Sequence, residues 1–167
     1  ARKVRVVRGN GRFVSPHELE VTGADGKAQL LRFEQAIIAA GSQAVKLPNF
    51  PWDDPRIMDS TDALNLADVP KKLLVVGGGI IGLEMATVYS ALGSQVSVVE
   101  FMDQLIPGAD ADLVRPLAAR LKKAGVEVHL KTKAATVKAG KKGITVGFEA
   151  ATEGQKPALE SGTFDRV

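Results

Sequence analysis

Residues 77–82 read Gly-Gly-Gly-Ile-Ile-Gly, and the apolar run that follows from Val96 ends on an acid, Glu100. A bare G-x-G-x-x-G is weak evidence. Here a strand-like run, Lys72–Val76, precedes it, and a helical pattern, Ile80–Leu92, follows it. Gly77 permits a tight turn out of the strand. Gly79 has no Cβ, so a pyrophosphate can approach the backbone, and Gly82 lets the helix pack close to the strand. The helix start offers free N–H groups and a partial positive charge to phosphates. Glu100 falls about 20 residues past the turn, where a carboxylate can accept hydrogen bonds from ribose hydroxyls and repel a 2′-phosphate. No Arg or Lys occupies residues 101–106. The combination implies NAD(H) in preference to NADP(H), held by Gly77, Gly78, Gly79, Ile80, Ile81, Gly82 and Glu100. The bland alternatives are an αβ turn that merely uses glycines and a solvated strand-end acid. Glu84, early in the helix, is by itself as readily a complement to the helix dipole.

These residues need strands and helices to position them. From residue 72 to 130 the pattern reads strand, helix, strand, helix, strand: Lys72–Val76, Ile80–Leu92 closed by Gly93, Gln95–Glu100, a helix over 113–124 closed by Gly125, and Val126–Leu130. Asp110 or Asp112 can cap the second helix, and Pro116 is tolerable near its first turn. This order implies an α/β, Rossmann-like, doubly wound parallel sheet, which binds ligands at the carboxyl ends of its strands. Residues 134–149 read as a hairpin turning at 140–143, residues 150–163 as a polar loop, and Phe164 as the start of another strand.

The first part of the chain differs. Residues 2–8 alternate as a strand, and Gly9-Asn10-Gly11 signals a turn. Phe13–Ser15 and Glu18–Thr22 are short strands, and Ala24–Lys27 is a hairpin turn. Leu30 to Ala40 reads as one buried strand ending at Gly41-Ser42, with Ala36–Ala40 among the longest apolar runs. The expectation is an antiparallel ribbon feeding a buried strand. Pro48, Pro51 and Pro55 mark a connector, and Asp59–Asp62 supplies caps for a short helix before Pro70.

Composition narrows the function. Hydrophobic residues make up 45% and charged residues 25% of 167, a globular balance. No apolar run approaches the ~20 residues of a membrane span. Arg2, Lys3, Arg5, Arg8 and Arg12 read as a solvated strand face; with one Trp and one Tyr in the chain, base stacking on nucleic acid is not expected. Cysteine is absent, which removes disulfides, thiolate metal sites and cysteine nucleophiles and fits a reducing, cytoplasmic setting. His17 and His129 stand apart with no ligand spacing, so no metal site and no catalytic residue is assigned. Both ends open or close in strand-like patterns, and the chain reads as a fragment of a longer protein.

The residues around the turn also carry a resemblance. Gly77–Ala86, Ala91–Val96 and Glu100 through Asp103–Pro107 closely resemble dihydrolipoamide dehydrogenase, in the flavoprotein disulfide reductase family. Ala36–Ser42 resembles that family's flavin-domain Ala-Thr-Gly-Ser segment, with Ala40 in place of the common Thr; Asp54–Ile57 and Asp59–Leu64 are similar to bacterial members. The resemblance implies a reaction in which dihydrolipoamide reduces an enzyme disulfide, electrons pass to FAD, and the flavin gives a hydride to NAD⁺. It implies roles for Glu84 near the nicotinamide, for Ala134 against the adenine where members often have Val, and for Gly11, Ala40, Gly41 and Ser42 near FAD. It implies a homodimeric parent working with 2-oxoacid dehydrogenase complexes. Domain boundaries follow: 1–46 a partial FAD-binding domain, 47–70 a connector, 71–167 an NAD-binding domain. The family's first glycine fingerprint, its Cys-x4-Cys pair, its His–Glu pair and its dimerisation domain have no counterpart here, so this chain alone is not expected to carry electrons from a dithiol to NAD⁺.

Two other readings compete. One keeps the fold and changes the parent to a mercuric reductase, soluble transhydrogenase or NADH oxidase. The other is a non-catalytic nucleotide-binding module.

Overall fold

A computed structural model describes residues 3–152, 154–157 and 159–167. The chain divides into two compact units, Ala1–Gln43 and Ala44–Val167.

The first unit is the expected antiparallel ribbon. β1 (Asn10–Ser15), β2 (Glu18–Thr22) and β3 (Ala28–Arg32) form a meander in the order β1-β2-β3. Val21 is buried beneath it, and Phe13 meets Phe33 edge-to-face at 5.9 Å. Cross-strand ion pairs, Arg12 with Glu20 and Arg32 with Glu18, lie on the surface and contribute little.

Two strand expectations fail here. Residues 3–8 form no strand (Arg2 lies outside the described residues), and β3 stops at Arg32, leaving the rest of the expected strand 30–40 irregular. Ile37 is 94% exposed and Ile38 76%, so Ala36–Ala40 is not a buried run. The physical reason is shared. Alternation and apolarity favour an extended backbone, but a strand exists only where a neighbour takes its N–H and C=O groups. Apart from the Phe33 amide, which donates to the His17 carbonyl at 3.0 Å, neither stretch has one among the described residues. The Gly9–Gly11 turn signal is also displaced, because Asn10 and Gly11 already pair with Thr22 and Val21.

The second unit carries the Rossmann-like sheet. β4 (Lys72–Val76), β5 (Gln95–Val99) and β6 (Glu127–His129) are parallel in the order β4-β5-β6. Helix α2 (Ile80–Ala91) crosses from β4 to β5, and α3 (Ala111–Lys123) from β5 to β6. The short α1 (Ser60–Leu64) precedes them, with a capping box in which Asp59 accepts from the amides of Thr61 and Asp62 while Asp62 accepts from that of Asp59. The N-cap of α3 is Asp110, but its side chain makes no capping bond. The helix runs through Pro116, its sixth residue, rather than meeting it in the first turn.

Each face of the parallel sheet has its own cover. Leu73, Val96 and Val98 pack with Leu83, Ala86, Tyr89, Val114 and Leu121 of the helices. Leu74 and Val99, pointing the other way as strand alternation requires, pack with Val137, Ile144, Val146, Phe148 and Phe164. That second cover is an antiparallel sheet in the order β7-β8-β9: β7 (Thr132–Gly140), β8 (Gly143–Ala150) and β9 (Ser161–Phe164). Thus a sheet, not further helices, closes the second face. Phe164 ends β9 instead of starting a strand; two residues on, Arg166 makes a single parallel bridge to Leu73 on the free edge of β4.

Candidate functional site

The glycine turn leaves β4 at Gly77, whose φ of +111° is the left-handed region that side chains avoid. Its amide donates to the Val99 carbonyl at 2.8 Å, tying the turn to β5. A Cβ on Gly82 would run into the Gly77 carbonyl and lie 3.1 Å from Val75 Cγ1, so α2 starts directly on the turn. Gly79 is the N-cap of α2 and supplies no side-chain cap. A Cβ there would meet nothing within 4 Å. The first helical bond runs from the Leu83 amide to the Gly79 carbonyl at 3.0 Å, so the amides of Ile80, Ile81 and Gly82 precede the intrahelical ladder. Open space beside unpaired, dipole-aligned N–H groups fits a pyrophosphate.

Glu100 is 7% exposed at the end of β5. Its Oε2 accepts from the Gly78 amide at 2.6 Å and its Oε1 from the Met102 amide at 2.7 Å. The Ile106 amide donates back to the Gly78 carbonyl at 2.8 Å, and a Cβ on Gly78 would lie 2.6 Å from Leu105 Cδ2. Gly78 is therefore wedged between the acid and the 101–108 loop, a packing role that the motif does not announce. Each carboxylate oxygen has a second lone pair for a ribose hydroxyl.

The remaining expected residues are spread more widely. Glu84 is exposed in the second turn of α2. Ala134 is half-buried on β7, beyond Thr132, whose amide donates to the Glu100 carbonyl at 2.9 Å; this brings β7 to the acid. Gly11, Ala40, Gly41 and Ser42 are all exposed. Gly11 is the second residue of β1 and the other three lie in the irregular segment, while a cavity in that unit is lined instead by Ser15, His17, Glu18, Arg32, Phe33 and Glu34. They do not form a cradle that fits a flavin.

Sequence reasoning missed an apolar groove of about 660 Å³ along the free edge of β4, reaching the glycine turn through Val76 and Ile81 and floored by Trp52, Met58 and Met85. Its residues come from the connector, the edge of β4, the glycine turn and α2, so only the fold assembles it. Ionic contacts hold the connector: Arg56 meets Asp54 at 2.6 Å and Arg166 meets Asp68 at 2.6 Å. The Arg56 hydrogen bonds hold the Asp54 carboxyl down at about 2. Burial pushes the Tyr89 phenol above its ordinary range, and its hydroxyl donates to the Ala63 carbonyl at 2.8 Å. His17 is exposed, and His129 lies 3.8 Å from Glu127 with its Nε2 buried and unpaired. Among the described residues, no acidic, histidine or cysteine cluster could hold a metal, and no helix is long and apolar enough to cross a membrane.

A parallel β-α-β-α-β unit with a glycine turn at the carboxyl end of its first strand defines a Rossmann-type α/β protein. The chain belongs to the pyridine nucleotide-disulphide oxidoreductase family, whose model matches residues 1–160. It is 50% identical over 166 residues to a dihydrolipoyl dehydrogenase of Vibrio cholerae, covering 99% of this chain and 34% of that protein. It is 53% identical over 149 residues to the enzyme of the same name from Haemophilus influenzae, covering 89% and 31%. An HOCl-induced flavoprotein disulfide reductase from Escherichia coli superposes with a TM-score of 0.77 at 26% identity, over 97% of this chain and 34% of that one. The chain thus spans about a third of the length of the curated relatives it matches.

Proposed function

We propose that this chain is the NAD(H)-binding portion of a dihydrolipoyl dehydrogenase. The observation that carries the reading is the open space over Gly79 at the uncapped start of α2, with Glu100 held 2.6 Å from the Gly78 amide beside it. Gly77, Gly78, Gly79, Ile80, Ile81 and Gly82 line the pyrophosphate, chiefly through backbone amides. Glu100 takes the adenosine ribose, Ala134 gives the adenine an apolar contact, and Glu84 stands toward the nicotinamide. The carboxylate favours NAD(H) because a 2′-phosphate there would place two anions together in a buried setting. When bound, the nicotinamide accepts or gives a hydride; the residues here bind and orient the dinucleotide for that exchange.

In the domain scheme that follows, residues 1–46 belong to a FAD-binding domain, 47–70 connect, and 71–167 bind NAD. The names of the relatives support dihydrolipoyl dehydrogenase over the other flavoprotein reductases. That identity carries with it FAD in the whole protein, a homodimer, 2-oxoacid dehydrogenase complexes as partners and a cytoplasmic setting. Titration calorimetry with NADH and NADPH tests the site. Tighter binding of NADH is expected; equal or tighter binding of NADPH would count against the role of Glu100, and binding of neither would overturn the reading.

A further inference from the structure

The connector between the two halves of the chain reaches β7 at two places. Arg56 Nη1 donates to the Gly140 carbonyl at 2.9 Å, at the far end of the strand. Near the start of the strand, the Asn49 side-chain amide donates to two successive carbonyls, Ala134 at 3.0 Å and Ala135 at 3.1 Å. Those carbonyls sit at a bulge. Ala134 pairs with Phe148 and Thr136 with Gly147, which leaves Ala135 as the extra residue. A bulge leaves backbone groups without ladder partners and bends the strand. β7 is also the edge of its sheet, so among the described residues no further strand takes them. Asn49 does so instead.

Asn49 is itself fixed. Its neighbour Phe50 is buried in the core that joins β4, β5 and the antiparallel sheet, and the Trp52 indole donates to the Leu47 carbonyl at 2.8 Å to close the turn around it. The clamp therefore links a turn anchored by Phe50 to the stretch of β7 that starts at the Glu100 carbonyl.

We propose that Asn49 is a positioning residue for the adenosine end of the dinucleotide site, acting by fixing the bulge that carries Ala134. This rests on the NAD(H) reading above. Asn49 touches no part of the ligand. It sets the distance between the apolar wall at Ala134 and the acid at Glu100, so that binding does not have to order the bulge.

The test is calorimetry of this chain with ADP-ribose, comparing Asn49→Ala with Arg56→Ala, which cuts the other connection to the same strand. Asn49→Ala is expected to weaken ADP-ribose binding roughly three- to tenfold, the scale of one or two neutral hydrogen bonds. Arg56→Ala should leave that affinity unchanged. Asn49→Asp, equal in size but with no donor when ionised, should weaken binding at least as much as Ala. Unchanged affinity in either Asn49 variant, or equal losses in Asn49→Ala and Arg56→Ala, would overturn the proposal while leaving the NAD(H) reading intact. Failure of the unaltered chain to bind ADP-ribose would overturn both.

Discussion

The Glu100 carboxylate lies 2.6 Å from the Gly78 amide nitrogen, bridging β5 to the glycine turn across 22 residues of sequence. The acid read from the motif as a ribose ligand is also a fastener of the turn. Glu100→Gln replaces one accepting oxygen with an NH₂ group that faces another N–H. It should destabilise the fold by about 1–3 kcal/mol, read from urea unfolding, and weaken NADH binding as well. Unfolding identical to the parent chain would show that the two backbone bonds carry no weight.

Gly79 and Gly82 separate binding from folding. A Cβ on Gly79 enters open space at an ordinary backbone angle, whereas one on Gly82 strikes the Gly77 carbonyl. Gly79→Val should fold with a stability within about 1 kcal/mol of the parent yet lose dinucleotide binding. Gly82→Ala should lose about 1–3 kcal/mol because α2 must move off the turn. The check is thermal unfolding and NADH titration on the same two proteins; a Gly79→Val chain that still binds NADH would make the turn merely structural.

Asp54 supplies a pH dependence. Its carboxyl is held at about 2 against an ordinary 3.8 by hydrogen bonds from Arg56. A depressed folded-state value contributes stability above pH 3.8, and that contribution is lost as pH falls toward about 2. Unfolding curves of the parent and Asp54→Asn should differ at pH 6 to 7 and converge below about pH 2. A gap that stays constant with pH would mean that the ion pair is not its source.

Tyr89 is 1% exposed, and its hydroxyl gives the Ala63 carbonyl the shorter of two hydrogen bonds. Tyr89→Phe keeps the packing and removes this bond, leaving the carbonyl only the longer one from the Leu66 amide at 3.3 Å. A loss of about 0.5–1.5 kcal/mol in denaturant unfolding is expected, with NADH affinity little changed. A neutral substitution would show that the α1 to α2 bond is dispensable.

The core of the fold was legible because local signals agreed there. Strand runs, glycine punctuation and the 3.6-residue pattern all pointed to β4-α2-β5-α3-β6, and the observed ends differ by a residue or two. The same reasoning failed at residues 3–8 and 33–40, where apolar alternation says nothing about whether a neighbouring strand is present. It placed Glu100 at the right end of β5 but could not show its bond to Gly78, since contacts across 22 residues follow from folding alone. Asn49 and the β4 groove were invisible for the same reason. Each depends on a connector with no period of its own, whose side chains acquire partners only when β7 and the edge of β4 are brought beside it.

A crystal structure of this chain grown with NADH tests most directly whether the glycine turn and Glu100 hold the dinucleotide. The pyrophosphate is expected over Gly79 within hydrogen-bond distance of the first amides of α2, and the adenosine ribose hydroxyls on the Glu100 carboxylate. A dinucleotide bound elsewhere, or bound at the turn with its ribose away from Glu100, would contradict this assignment.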